Sequence, residues 1–166
     1  MAKHKAKAKA PARPPREFLL TAALTAGSNL RRVVQNGMGA FEADDKLLIA
    51  VDQRPRIGDS INLDEALRAQ YPQANRWDYI FSVSDAKKVV ALEPHTANDS
   101  EVKTVIAKKK HAVDYLKDHL EPKHRVSAWL WVSSGKATLT KTEKYERALA
   151  SAGIKYVGRF IRSLDQ

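Results

Sequence analysis

The chain contains no cysteine among its 166 residues. This absence excludes disulfide bonds, cysteine-ligated zinc, iron–sulfur clusters and thiol catalysis. It also favours a reducing compartment, so we expect a cytoplasmic protein. Long apolar runs are missing too, since stretches such as residues 47–51 are far too short to cross a bilayer. The sequence therefore predicts no membrane partner.

Acidic residues are missing from the start of the chain. Residues 1–16 contain six lysines and arginines and no Asp or Glu, so they carry six of the net ten positive charges. Alternating Lys and Ala, followed by prolines, offer nothing to bury. We therefore predict that residues 1–17 form a basic, disordered tail and that residues 18–166 form a single α/β domain.

Two functions are open for this tail. It either attaches nonspecifically to a phosphate backbone or serves as a solubilising segment without a dedicated partner. A secretory signal that uses residues 18–26 as its apolar stretch is disfavoured, because Glu17 and the threonines interrupt that stretch. The excess of positive charge makes a polyanion the first partner to consider, so we expect nucleic acid, with DNA slightly favoured over RNA.

The strongest structural pattern is a hairpin. Residues 77–83 are rich in aromatic and β-branched side chains, and residues 88–93 form a second apolar segment after a turn. A helix with apolar spacing follows at 101–120, and a nearly continuous apolar strand at 125–133. The other elements expected are a helix over 18–36 that breaks at 27–29, a strand at 46–51, a helix at 63–71 capped by Asn62, a helix at 140–153 and a strand at 156–161.

This order of elements predicts an α/β fold with a mixed central sheet. The hairpin is antiparallel, whereas strands reached through helices are expected to run parallel to their neighbours. Trp129 and Trp131 alternate with their neighbours in the apolar strand, so both should face one side of the sheet and lie in the core.

The register of the hairpin brings two acidic residues together. A turn centred between Asp85 and Ala86 pairs residues whose numbers sum to 171, which places Asp78 opposite Glu93. Opposed side chains have Cβ atoms about 4.5–5.5 Å apart, so two carboxylates there repel unless a cation lies between them. A divalent metal ion is the usual solution. His95 follows Glu93 by two residues and should point to the same face.

The helix at 101–120 places a lysine in its apolar stripe. Lys109 lies at the centre of that stripe, so its ammonium must reach solvent or find an anion. Lys108 and Lys110 lie on the flanks and are expected to be ordinary solvated charges. The other members of the predicted stripe are Val102, Ile106, Val113, Leu116 and Leu120.

Residues 63–133 resemble the core of the PD-(D/E)xK nuclease superfamily, whose fold is restriction-endonuclease-like. The resemblance rests on Asp78, on the segment Glu93-Pro94-His95 at the end of the paired strand, and on the helix and apolar strand that follow. It implies that Asp78 and Glu93 bind Mg²⁺ or Mn²⁺, with Glu65 as an optional further ligand. His95 stands where the family has a lysine. Some members carry the basic residue on the following helix, which implies this role for Lys109.

The activity that this resemblance implies is metal-dependent hydrolysis of phosphodiester bonds, by an endonuclease or an exonuclease. Lys109 would stabilise the charge on the phosphate or orient the attacking water, and His95 would act as general base or bind the phosphate. The alternative is a nucleic-acid-binding or scaffold protein that keeps the fold without catalysis. The missing motif lysine favours this alternative, and Asp78 and Glu93 would then have structural roles only.

Overall fold

The computed structural model describes residues 18–166, and the predicted tail of residues 1–17 lies outside them. The described chain is mixed α/β, with a six-stranded sheet flanked by helices. The strands are β1 (Gln35–Asn36), β2 (Ile57–Asn62), β3 (Tyr79–Val83), β4 (Lys88–Ala97), β5 (Val126–Ala137) and β6 (Lys155–Tyr156). The helices are α1 (Leu20–Ala23), α2 (Ala43–Lys46), α3 (Leu63–Arg68), α4 (Glu101–Leu116) and α5 (Glu143–Ser151), with 3₁₀ turns at Asn29–Val33, Arg54–Arg56 and Pro122–His124. Within residues 18–166 no helix has the length and apolar character to cross a membrane.

The six strands lie across the sheet in the order in which they occur in the chain. Strands β1 to β4 pair antiparallel, whereas β5 runs parallel to β4, and β6 runs parallel to β5. Helices α4 and α5 make the two crossovers that parallel strands require. The predicted mixed sheet with an antiparallel hairpin is therefore confirmed.

Each face of the sheet carries its own hydrophobic core. The core on the α4 side contains Trp77, Trp129 and Trp131, so both tryptophans of β5 face one side of the sheet, as predicted. The core on the other side is built around Phe41, which stacks on Tyr79 with ring centroids 4.4 Å apart.

The hairpin of β3 and β4 has the predicted register. Tyr79 pairs with Leu92 and Val83 pairs with Lys88, and both pairs sum to 171. The cap of α3 is confirmed as well, because the Asn62 side chain accepts a hydrogen bond of 2.9 Å from the backbone N–H of Glu65. These elements were predictable because turn position and capping chemistry are local properties of the sequence.

The predicted strand at residues 46–51 is wrong. Residues 43–46 are helical, and in the following segment Ile49 forms only a single bridge, to Ile161. Ile49 is buried, but Leu47 and Val51 are exposed, so the apolar run does not mark a strand. The strand in this part of the chain is β2. Its Gly, Asp and Ser residues have a low propensity for strands, so the sequence pattern does not indicate it.

Two further predicted elements are shorter in the structure. The helix expected over 18–36 is reduced to α1 and a 3₁₀ turn, separated at the predicted break, and the strand expected at 156–161 is reduced to β6 and the bridge at Ile161. Helix α4 also ends at Leu116, because Leu120 instead forms a bridge with Leu24.

Asp59, in the middle of β2, is a buried carboxylate that holds α1 against the sheet. Its Oδ1 accepts hydrogen bonds of 2.6 Å from the Leu20 N–H and the Ser82 hydroxyl, and Oδ2 accepts one of 3.2 Å from the Thr21 N–H. These donors include the first N–H groups of α1, which have no partner within the helix.

We expect Asp59→Ala to lower the free energy of unfolding by about 2–3 kcal/mol, because two buried donors and one partly buried donor lose their acceptor. Urea denaturation measures this change. Replacement of the exposed Asp44 by alanine is the control and should change the free energy by less than about 0.5 kcal/mol. Equal stability of the two variants would show that Asp59 does not anchor α1.

Candidate active site

Asp78 and Glu93 lie side by side where β3 begins. The backbone N–H of Asp78 donates a 3.0 Å hydrogen bond to Oε2 of Glu93. The Glu93 side chain is 0% exposed and that of Asp78 is 26% exposed. The structure therefore brings together the two acids that the hairpin register paired.

The cation between these two acids is the ammonium of Lys108. Its Nζ lies 3.3 Å from Oδ1 of Asp78 and forms an ion pair with Oε1 of Glu93. Lys108 follows the buried Val105 by three residues and precedes the buried Ala112 by four, so it shares their face of α4. The expectation that Lys108 is an ordinary solvated charge is therefore wrong.

Lys109 points away from this cluster, so the prediction that it faces the two carboxylates is wrong. Its ammonium donates to the carbonyl of Ala152 and, at 3.1 Å, to that of Gly153, and it lies 5.2 Å from the Trp129 ring. Lys109 thereby binds the carbonyls of the two residues that directly follow α5. Gly153 leaves room for it, because a Cβ there would lie 2.8 Å from Nζ, and its φ of +64° suits glycine.

His95 lies next to Glu93, on the face that the strand period predicted. Its Nδ1 is 3.5 Å from Oε1 of Glu93, and its Nε2 is 2.7 Å from Oε2 of Glu101. Glu101 is the first residue of α4, and nothing in the sequence pattern marks it as a residue of this cluster. Its bond to His95 fixes the orientation of the imidazole ring.

Glu65, the optional further ligand, does not join this cluster. Its side chain is exposed, and the neighbouring Asp64 is the acid of α3 that forms ion pairs, at 2.6 Å with Arg68 and 2.8 Å with Arg76. Within residues 18–166, no group of three or more His, Asp or Glu side chains is arranged to hold a metal ion.

The charges of the cluster perturb one another. Burial raises the pKa of Glu93 well above its ordinary value, and the nearby charge of Asp78 raises it further. Burial likewise raises the pKa of Asp78. For Lys108, burial lowers the pKa, but the charges of Glu93 and Asp78 outweigh burial, so the net shift is upward. Lys108 therefore stays protonated at neutral pH. A buried group of perturbed acids is typical of functional sites.

The donor atoms of the cluster are of the type that divalent cations bind. Oδ1 of Asp78 and Oε1 of Glu93 converge on one ammonium, so the two oxygens define a single position for positive charge. Carboxylate oxygens are the ligands that Mg²⁺ and Mn²⁺ prefer, and Mg²⁺ commonly uses one or two carboxylates with water and substrate phosphate as its remaining ligands.

No family model, curated protein or solved structure matches this chain. The described residues define a mixed α/β protein with a largely buried Asp–Glu–Lys cluster at the β3–β4 hairpin, next to a histidine held by a second glutamate.

Proposed function

We propose that this protein is a metal-dependent, nuclease-like protein of the restriction-endonuclease-like class, which hydrolyses phosphodiester bonds of nucleic acid. The observation that carries the proposal is the convergence of Asp78, Glu93 and Lys108 in one cluster, built from two antiparallel strands and the helix that follows them. A buried ion pair often stabilises the fold less than apolar residues of similar size would. A role in a reaction would explain why these charged residues are present.

In this proposal Asp78 and Glu93 would hold Mg²⁺ or Mn²⁺, which would lower the pKa of a water molecule and offset negative charge on the phosphate. Lys108, rather than Lys109, stabilises the negative charge on the phosphate oxygens or orients the attacking water. His95 would accept a proton from the attacking water molecule, with its ring oriented by Glu101.

A second candidate is a nucleic-acid-binding or scaffold protein without catalysis. The observation that favours it is that Lys108 already occupies the position between the two carboxylates and that Glu93 is fully buried. In this case the ammonium is a permanent structural cation, and metal ions have no function in the protein.

Incubation of supercoiled plasmid and of single-stranded DNA with the full chain separates the two candidates. The nuclease proposal requires cleavage in Mg²⁺ or Mn²⁺ that EDTA prevents and that Glu93→Gln abolishes. Glu65→Gln is the matched control, since it removes an exposed glutamate outside the cluster, and it should cleave as the parent does. Binding of both substrates without cleavage in either metal would favour the second candidate.

Deletion of residues 1–16 tests the contribution of the tail to binding. The deletion removes six positive charges, so nucleic-acid affinity should fall. The slope of log K against log salt should flatten by up to about five for duplex DNA, at ~0.9 for each phosphate that the tail neutralises. Fluorescence anisotropy over a salt series measures both values. Parallel slopes for the two proteins would support the solubilising role instead.

A further inference from the structure

The loop formed by residues 157–162 leaves the sheet at the same end as the candidate site. In the parallel part of the sheet, Glu93 pairs with Trp131, and Trp131 pairs with Tyr156. Glu93 and Tyr156 therefore lie in one row, two strand spacings or about 10 Å apart. Because β4 and β6 point in the same direction, the chain after Tyr156 leaves the sheet toward the carboxyl ends of these strands, as does the chain from Glu93 to His95. In open α/β sheets, ligands bind near the carboxyl ends of the strands.

Backbone hydrogen bonds fix both ends of the 157–162 loop. At its start, the Val157 N–H donates to the Trp131 carbonyl at 2.9 Å, and the Gly158 carbonyl accepts from the Ser133 N–H at 2.8 Å. At its far end, Ile161 is buried and exchanges two backbone hydrogen bonds with the segment around Ile49, at 2.8 and 2.9 Å. Residues 159 and 160 lie between these two anchored ends and are exposed to solvent.

The side chains on this loop include an aromatic ring and several cations. Phe160 is 40% exposed, so part of this aromatic side chain is open to solvent. Residues 155–162 contain Lys155, Arg159 and Arg162 and no acidic residue. All three cations are exposed, and none forms an ion pair within residues 18–166. They border a cleft of about 520 Å³.

We propose that the 157–162 loop binds single-stranded nucleic acid, with a base stacked on Phe160 and phosphates contacted by Lys155, Arg159 and Arg162. An aromatic ring beside unpaired cations is the chemistry by which proteins hold single strands. A duplex does not offer the same interaction, because its bases are stacked on one another. The statement that this single-stranded nucleic acid is also the substrate rests on the proposed nuclease function. Binding of the nucleic acid to the loop requires neither metal nor cleavage.

The test is binding of a fluorescent 12-nucleotide single strand, and of the matching duplex, to the full chain in EDTA. Phe160→Ala should weaken single-strand binding by about 5- to 150-fold, the range for removal of one base–aromatic stack. Duplex binding should stay within about two-fold of the parent, since no duplex base reaches the ring. Phe160→Tyr should retain single-strand affinity, and Phe160→Leu, which remains apolar but has no ring, should lose it as alanine does.

A second variant tests the cations independently of the ring. Arg159→Gln with Arg162→Gln should reduce the salt slope of single-strand binding by about 1.4, at ~0.7 for each phosphate neutralised. Lys103→Gln with Lys110→Gln, on the exposed face of α4, removes the same charge and should leave this slope nearly unchanged.

Three results would overturn the proposal. These are unchanged single-strand affinity in Phe160→Ala, equal weakening on single strand and duplex, and full affinity in Phe160→Leu, which would indicate a simple apolar interaction. Failure of the nuclease proposal is seen separately, because the binding assay contains EDTA and measures no cleavage. Phe160-dependent binding of the single strand by a protein that cleaves in neither metal would contradict only the nuclease proposal. Cleavage of single-stranded DNA that depends on Glu93 but not on Phe160 would contradict only the proposed role of the 157–162 loop.

Discussion

Replacing Lys108 with methionine should lower the free energy of unfolding at pH 7 by about 3–5 kcal/mol, the range for removing one partner of a buried ion pair. The variant leaves Glu93, which is fully buried, and Asp78 facing each other without a cation. Urea denaturation measures the change. Lys109→Met is the matched control, because it removes the neighbouring lysine of the same helix. Lys109 binds carbonyls and no carboxylate, so its removal should change the free energy by less than about 1.5 kcal/mol.

The destabilisation in Lys108→Met should depend on pH. The pKa values of Glu93 and Asp78 are raised by burial in the parent, and without the ammonium they rise further. Between the ordinary and the raised carboxyl pKa values, the native state binds more protons than the unfolded chain. Stability therefore increases as pH falls through the raised pKa values. We expect the variant to regain part of its stability near pH 5. Equal destabilisation of the Lys108 and Lys109 variants at both pH values would contradict the ion pair.

The second large effect is on metal binding and cleavage. Asp78→Asn and Glu93→Gln should each weaken Mn²⁺ binding at least about ten-fold and reduce cleavage at least about 100-fold, since each removes a charged ligand. Lys108→Met should behave differently. The ammonium and the metal ion compete for the same two carboxylate oxygens, so its removal should tighten Mn²⁺ binding while cleavage is abolished.

Calorimetric titration with Mn²⁺ and a plasmid cleavage assay measure these two quantities, and far-UV circular dichroism establishes that each variant is folded. Tighter binding combined with abolished cleavage distinguishes competition from simple unfolding, which would lower both. If the parent binds neither Mn²⁺ nor Mg²⁺, the metal site is eliminated and the second candidate, a protein without catalysis, stands.

The sequence predicts the β3–β4 hairpin well because its information is local. The turn at Asp85 and Ala86 sets the register, and the two-residue period of a strand then determines which side chains face each other. Strand β2 contains Gly58, Asp59 and Ser60, which disfavour strands. It is stabilised instead by pairing on both edges and by the buried bonds of Asp59, which are tertiary interactions.

The candidate site was predictable in its acids but not in its lysine. Residues 108–110 are all lysine, so only the rotation of α4 decides which of them reaches the sheet. The predicted stripe passes through Val113, which is 44% exposed, whereas the buried stripe passes through Ala112. A small alanine gives a weak hydrophobic signal, and this misplaces the buried face by one residue.

Helix α4 is fixed on two sides by adjacent lysines, with Lys108 bound to the carboxylates and Lys109 bound to the end of α5. Turning the helix to withdraw the Lys108 ammonium would pull Lys109 away from its carbonyls. These two sets of contacts therefore hold the rotation of the helix about its axis in place. Any exchange of Lys108 for another cation is thus confined to rotation about its own side-chain bonds. Rotation of one side chain leaves the backbone in place, whereas helix shifts are collective motions that take microseconds to milliseconds. The sheet and its helices can therefore stay rigid while the charge between the two acids is exchanged.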